Sequence, residues 1–364
     1  MIERTAKGVS AEAPTGGASS WDGATAGSDW HAGNGADESP AAGGSVRTGA
    51  IDSAGRRGDS RMSTVLAIDA GQTGIKVRVR EHDLVFPGIR THEPLLPQLA
   101  AVAHAAIERT GAEVSVVSAG VSGLTTKEAD AAEFLARIAD PAVREVILAH
   151  DSTTSFLGAL GDTRGSVVAA GTGVVTLAVG AERVARVDGW GYLMGDAGSG
   201  YWIGREALDA VMREYDGRGP ATRLREVAEE RWPDLGQAYI HLQSADDRVS
   251  VVASFAEHVA RLASDGDAVS QNITVRAGGE LAHSVETSLR RVRSDDADER
   301  FAACAIGGVF RSPQLLEAFA SHIAASELDV TLVEPQGHGI DGAAALAGLA
   351  PQHPLAHAVS IAHV

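Results

Sequence analysis

The stretch TVLAIDAGQTGIKVRVR, residues 64–80, decides how this chain folds. Val65–Ile68 is a short apolar run that ends in an acid, Asp69. Ala-Gly-Gln-Thr-Gly follows, and then Ile75, Val77 and Val79 alternate with Lys76, Arg78 and Arg80. Period-two alternation is the mark of a strand with one wet face, so the segment reads as a β-hairpin around a Gly/Thr turn. About 100 residues later the pattern returns as SVVAAGTGVVTLAV, residues 166–179, with Gly171-Thr172-Gly173 at the turn. Two such hairpins point to an internal duplication.

Between and beyond the hairpins, apolar periodicity predicts helices over 95–109, 126–139, 153–160, 205–215, 221–231, 249–264, 269–293, 313–323 and 341–349. Strands are expected at 113–118, 145–149, 301–306 and 328–333. Strands mixed with helices in this way predict an α/β fold. Four segments are expected: a disordered tail over 1–61, an N-terminal domain over 62–165, a C-terminal domain over 166–350 and a C-terminal tail over 351–364. The first rests on composition. Residues 1–61 hold 12 of the 42 glycines, with Ala, Ser, Thr and Asp making up most of the rest. Such a segment buries too little apolar surface to offset its ordering entropy. Patterned sequence begins just after Met62, which could equally be the start of the working protein.

Composition excludes several functions. A net charge of −17 repels nucleic acid and anionic membrane. One cysteine permits neither a disulfide framework nor a CxxC zinc site, and two identical subunits would bring only two thiolates to a shared iron–sulfur cluster. No apolar run reaches the length of a membrane span, and the N-terminus lacks the apolar core of a signal peptide, so the cytoplasm is the expected location. An acidic protein that handles phosphate needs backbone N–H groups and a metal ion rather than a basic patch.

Several residues can supply that chemistry. In Asp69-Ala70-Gly71-Gln72-Thr73, Gly71 lets backbone N–H groups approach an anion, Thr73 adds a hydroxyl, and Asp69 is placed to hold a hydrated Mg²⁺ beside it. Taken alone, the pattern is as readily an ordinary hairpin turn. Gly171-Thr172-Gly173 offers the same chemistry without the acid, and the two turns together could grip a triphosphate in a cleft between similar domains. Asp151, after the apolar run Val146–Ala149, reads as a helix N-cap or as a general base for a substrate hydroxyl. DGWGYLMGDAGSGYWIG, residues 188–204, interleaves six glycines with Trp190, Tyr192, Tyr201 and Trp202. Trp190 could pack on an apolar sugar face while Asp196 accepts from hydroxyls, or the aromatics could simply anchor a loop. Gly307-Gly308 after a strand could let a flat ring lie against backbone, or could be a strand-to-helix turn.

In this order the motifs resemble the sugar kinase–actin–chaperone ATPase superfamily. More narrowly, they resemble the N-acetylglucosamine kinase family, grouped with the BadF/BadG/BcrA/BcrD-type ATPases, over roughly 65–349. The resemblance implies two similar ribonuclease H-like, actin-like ATPase domains with a cleft between them. Asp69–Thr73 matches the first phosphate motif and Ala170–Gly173 the second, where Val174 stands in place of the usual Ser. Gly307-Gly308 matches the adenosine motif and DGAA, residues 341–344, the second connecting helix. His150-Asp151-Ser152 matches an N-D-A or H-D-S element whose Asp is the base. The stretch 189–203 resembles a segment that lies against the amino sugar, which gives Trp190, Gly191 and Asp196 substrate roles, and Ser122 in SAGVSG (118–123) could join them. The implied reaction is transfer of the ATP γ-phosphoryl group, with Mg²⁺, to a sugar hydroxyl, O6 of an N-acetylhexosamine or glucosamine.

Two departures bear on the sugar. Ala197 replaces the Glu of the family's G-D-E-G-S, and FPGIRTHEPLLP (86–97) lacks the Asn expected of a substrate loop. A small-molecule sugar is the expected partner, with neither nucleic acid nor membrane, and the resemblance allows a homodimer. Two rival readings share the fold: a sugar sensor that binds without phosphoryl transfer, and an activating ATPase for a radical dehydratase. The second needs cluster cysteines that this chain lacks.

Overall fold

The computed structural model describes residues 64–295 and 299–364. The expectation of a disordered segment over 1–61 lies outside these residues. The described chain opens with a three-strand meander, β1 (Val65–Ala70), β2 (Ile75–Val79) and β3 (His82–Phe86). It continues through α1 (Leu95–Thr110), β4 (Val116–Val121), α2 (Ala131–Ile138), β5 (Glu145–His150) and α3 (Asp151–Leu160). A second meander follows: β6 (Gly165–Ala170), β7 (Val174–Val179) and β8 (Val184–Val187). Five helices come next, α4 (Gly200–Tyr215), α5 (Leu224–Arg231), α6 (Leu235–Ser244), α7 (Arg248–Ser264) and α8 (Ala268–Val292). The chain closes with β9 (Phe301–Ile306), α9 (Pro313–Ala324), β10 (Val330–Leu332), α10 (Gly339–Ala345) and β11 (Val359–His363).

Among the described residues the strands form two sheets with one plan. The first runs β11-β5-β4-β1-β2-β3, the second β10-β9-β6-β7-β8. In each, an antiparallel meander is extended on its first strand by two parallel strands. The duplication hinted at by two short hairpins is thus a duplication of whole sheets, the mixed α/β arrangement expected from the sequence.

Local sequence explains the elements. The run in β1 is buried from Leu66 to Ile68 because helices cover both faces of the sheet. Helix α1 buries Leu95, Leu99, Ala103 and Ala106 and stops at Gly111, whose φ of 60° suits a residue without a side chain. Helix α9 starts on Ser312, whose hydroxyl accepts from the Leu315 N–H, with Pro313 in its first turn. Helix α2 begins at Ala131, later than the predicted 126, because the Asp130 side chain caps it by accepting from Glu133 N–H. Helix α4 begins at Gly200, earlier than the predicted 205, on the Ser199 cap.

The chain passes between the sheets twice. Helix α3 leads from β5 into β6, and the segment from α10 onward returns from β10 to β11. Phe156, Leu157 and Leu160 of α3 share a core with Ile147 of the first sheet and Val167 and Leu177 of the second. Helix α10 packs on β1 through Ile340, Ala343 and Ala67. Residues 351–364, expected as a tail, carry a 3-10 turn (Pro354–Ala358) and then β11, which pairs antiparallel with β5. Fully buried Leu355 anchors the segment.

Candidate active site

The two crossing helices meet through glycines. A side chain on Gly342 would land on the Thr154 carbonyl, and one on Gly158 would land on the carbonyl of His338. With no Cβ between them the helices pack closely in opposite senses, the start of α10 lying against the later turns of α3. Asp151 is the first residue of α3. Asp69, near the end of β1, places its carboxylate against Gly339, the first residue of α10.

The two acids are close enough for their charges to act on one another. Burial pushes the Asp69 carboxyl above its ordinary value, Lys76 opposes the shift, and the charge of Asp151 adds to it. Asp151 goes the other way. Burial pushes it up, but the His150 ring, the Ser122 hydroxyl and the Arg186 guanidinium outweigh burial and hold it below the usual carboxylate range. Asp151 therefore stays ionised at neutral pH. Ser122 itself is tied beside β1 by its N–H, which donates to the Ala70 carbonyl at 2.9 Å.

The predicted cap at this helix needs correction. His150, not Asp151, is the N-cap of α3: its Nδ1 accepts from the Ser152 N–H at 3.1 Å. The same nitrogen lies 2.9 Å from Asp151 Oδ1. A ring nitrogen that carries a proton bonds Asp151 Oδ1, and one that does not accepts from Ser152, so the cap and the Asp151 contact share one nitrogen. The Asp151 carboxylate is freed from capping.

The first glycine turn is closed by Gly71 N–H, which donates to the Gly74 carbonyl at 3.1 Å, and leaves Gln72 and Thr73 exposed. The second is held from outside. Gly171 N–H donates to Gly173 O at 2.8 Å, while the Gly200 and Tyr201 N–H groups at the start of α4 donate to Gly171 O and Thr172 O at 2.7 and 3.0 Å. Gly307, at φ 105°, approaches so closely that a Cβ would collide with the Ala170 carbonyl; Gly308 faces open space. Gly307 and Gly308 thus adjoin the second turn.

The 188–204 loop joins this arrangement from the end of β8. Asp196 is 7% exposed and its Oδ2 lies 2.7 Å from where a Gly173 side chain would begin, so the acid is turned toward the second glycine turn. Its Oδ1 accepts from Gly191 N–H at 3.1 Å. Burial, and then the neighbouring charge of Asp188, push its carboxyl up to about 6. Trp190 is 65% exposed, with the Arg186 guanidinium 5.8 Å from its ring centroid. Arg186 also donates to the Gly189 carbonyl at 2.6 Å, and its charge acts on both Asp151 and Asp196. Sequence reasoning missed Arg186 and Asp188. Arg186 sits on a four-residue strand with no clear alternation, and by sequence Asp188 is only the first residue of a glycine-rich loop.

The BadF/BadG/BcrA/BcrD ATPase family matches residues 63–347, most of the chain. The chain belongs to this family. Two curated relatives share parts of it. An N-acetylmuramic acid/N-acetylglucosamine kinase of Clostridium acetobutylicum is 31% identical over 39% of this chain and 47% of its own length. An N-acetyl-D-glucosamine kinase of Dictyostelium discoideum is 31% identical over 42% and 48%. The chain therefore spans about half the length of the curated relatives it matches. In three dimensions this BadF/BadG/BcrA/BcrD-family chain is similar to a protein of Chromobacterium violaceum assigned as an N-acetylglucosamine kinase. The TM-score is 0.58 at 22% identity, covering 78% of this chain and 98% of the other. A Porphyromonas gingivalis protein with the same assignment gives a TM-score of 0.58 at 18% identity, covering 77% and 98%. These likenesses concern the fold. No helix among the described residues is long and apolar enough to cross a membrane.

Proposed function

We propose that this chain transfers the γ-phosphoryl group of ATP to a hydroxyl of an amino sugar, N-acetylglucosamine or glucosamine, at O6. Asp151 is the general base. The observation that carries this reading is Asp151 at the first residue of α3, held ionised, within electrostatic reach of Asp69, which lies against the first residue of α10 and is pushed up. A buried carboxylate held ionised suits the task of orienting a hydroxyl and taking its proton. The names of the two curated relatives point to the same reaction and the same class of acceptor.

The remaining residues divide by their neighbours. Gly71, Gln72, Thr73 and Gly171–Gly173 offer backbone and hydroxyl donors to the phosphates, and Gly307-Gly308 lie beside the second turn where an adenosine would pass. Ser122, Trp190, Gly191 and Asp196 surround the acceptor. Asp69 would hold Mg²⁺. The fit is chemical: among the described residues no three acids, histidines or cysteines gather as a metal cage, whereas this ion is commonly held by one or two carboxylates plus substrate phosphates and water. Asp69, pushed up first by burial and further by the charge of Asp151, is an acid that a divalent cation would relieve. Bound Mg²⁺ would supply charge neutralisation at the transferring phosphate. The use of ATP proposed here fits a cytoplasmic location.

Coupled ADP release against a panel of amino sugars and hexoses tests the proposal. Turnover above the no-sugar rate is expected with an amino sugar. Sugar binding without turnover would establish a sensor instead.

A further inference from the structure

Within the loop 189–197 the Met194 and Gly195 N–H groups bond to Gly191 O and Tyr192 packs on Tyr201, but these contacts do not join its two ends. Gly189, Gly191 and Gly195 interrupt it, and φ is positive at Asp188, Gly189, Gly191, Asp196 and Gly198. Glycines at this density leave a chain wide conformational freedom. Leu193 and Met194 are 82% and 84% exposed, so apolar packing does not fix its tip. Yet Trp190 and Asp196, both in this loop, must keep fixed positions if they are to hold an acceptor.

One side chain closes the loop at its base. Asp188 Oδ1 accepts from the N–H of Gly189 at 2.8 Å and of Asp196 at 2.7 Å, and Oδ2 accepts from Ala197 N–H at 3.0 Å. Three backbone donors from both ends of the loop therefore converge on one carboxylate. A side chain on Gly195 would strike Asp188 Oδ1, so the backbone is wrapped tightly round the acid. Arg186, two residues earlier, holds the outer side of the same turn through the Gly189 carbonyl. Charged acceptors make stronger hydrogen bonds than neutral ones, and shared N–H donors fix direction as well as distance.

We propose that Asp188 is a positioning residue for the acceptor: by pinning both ends of the loop it sets where Trp190 and Asp196 stand. It acts through these two residues and does not touch the reacting atoms. The inference rests on the kinase reading above and adds to it the device that shapes the acceptor site.

Steady-state kinetics of the full chain test it. Asp188→Ala removes all three acceptors and is expected to raise the acceptor KM by at least about tenfold, the loss of one or two such bonds. The KM for ATP should change by less than the acceptor KM, because Asp188 bonds to none of the three glycine turns and reaches 171–173 only through Asp196. Asp188→Asn keeps one oxygen for Gly189 and Asp196 but meets Ala197 N–H with another donor, so it should fall between wild type and Asp188→Ala. That graded rescue, with the larger effect on the acceptor KM, is what a merely structural role would not give. An unchanged acceptor KM in Asp188→Ala overturns the inference, as does a parallel rise of both KM values. Should Asp188→Ala fail to fold, Asp188→Asn decides by the same two KM values. A wild-type chain inert toward every sugar fails at the kinase reading and takes this role with it, whereas an active wild type with an indifferent Asp188 fails here alone.

Discussion

At the residue scale, the acids around the site are told apart by their surroundings. Asp151 is held ionised by its neighbours, and because His150 caps α3, Asp151→Asn should leave the helix start intact. Turnover should then drop by at least about 10²-fold with acceptor affinity largely kept, which kinetics and calorimetry would show. Unchanged turnover removes Asp151 as the base. Asp196 has the opposite character. Its carboxyl titrates near 6 in the folded protein against 3.8 ordinarily, so the folded state holds a proton that the unfolded state has lost. Stability from this group is therefore present at low pH and lost as pH rises from about 4 to 6, a cost of about 3 kcal/mol at neutrality. Asn tolerates the left-handed backbone at this position, where φ is 61°. Relative to wild type, Asp196→Asn should gain little at pH 4 and up to about 3 kcal/mol at pH 7, measured by denaturant midpoints. A difference that does not grow with pH would mean that Asp196 is not held up.

At the element scale, the decisive contact is between α3 and α10. Alanine at Gly342 or Gly158 would push the helices apart, an overpacking that costs about 1–3 kcal/mol or more. It would also shift Asp151 against Asp69, since each stands at or beside the first residue of one of these helices. Both Gly342→Ala and Gly158→Ala should therefore lower the melting temperature and turnover together. Gly348→Ala, with nothing within 4 Å of the new methyl group, should change neither. Equal behaviour of the three variants in thermal melts would show that the close approach is unimportant. The sequence carried the glycines and the short apolar run into α3, but not which helix each glycine would meet.

At the scale of the whole molecule, the hairpins at 64–80 and 166–179 were legible because alternation and turn glycines are local signals. Strands β8 and β11 were not, since four or five residues carry too little pattern, and β11 gains its meaning only from pairing with β5. The role of Asp188 was hidden for a related reason: its partners are backbone N–H groups, which leave no mark in the residue types. The same contrast predicts how the chain tolerates loss of its ends. The described core clusters draw on residues from Val65 onward, and the family match begins at residue 63. A chain starting at Met62 should therefore melt and turn over like the full one. Ending the chain at Ala350 removes Leu355, which is fully buried against Ile147, Phe156 and Leu346. It also removes the Ser360 hydroxyl that accepts from Ala131 N–H, and the five-residue pairing with β5. Loss of a buried leucine side chain alone costs about 2–5 kcal/mol, so this truncation should melt well below the full chain, and Leu355→Ala should reproduce part of the loss. Equal melting of the full and shortened chains would show that β11 is an ornament on the first sheet rather than the strand that secures its β5 edge.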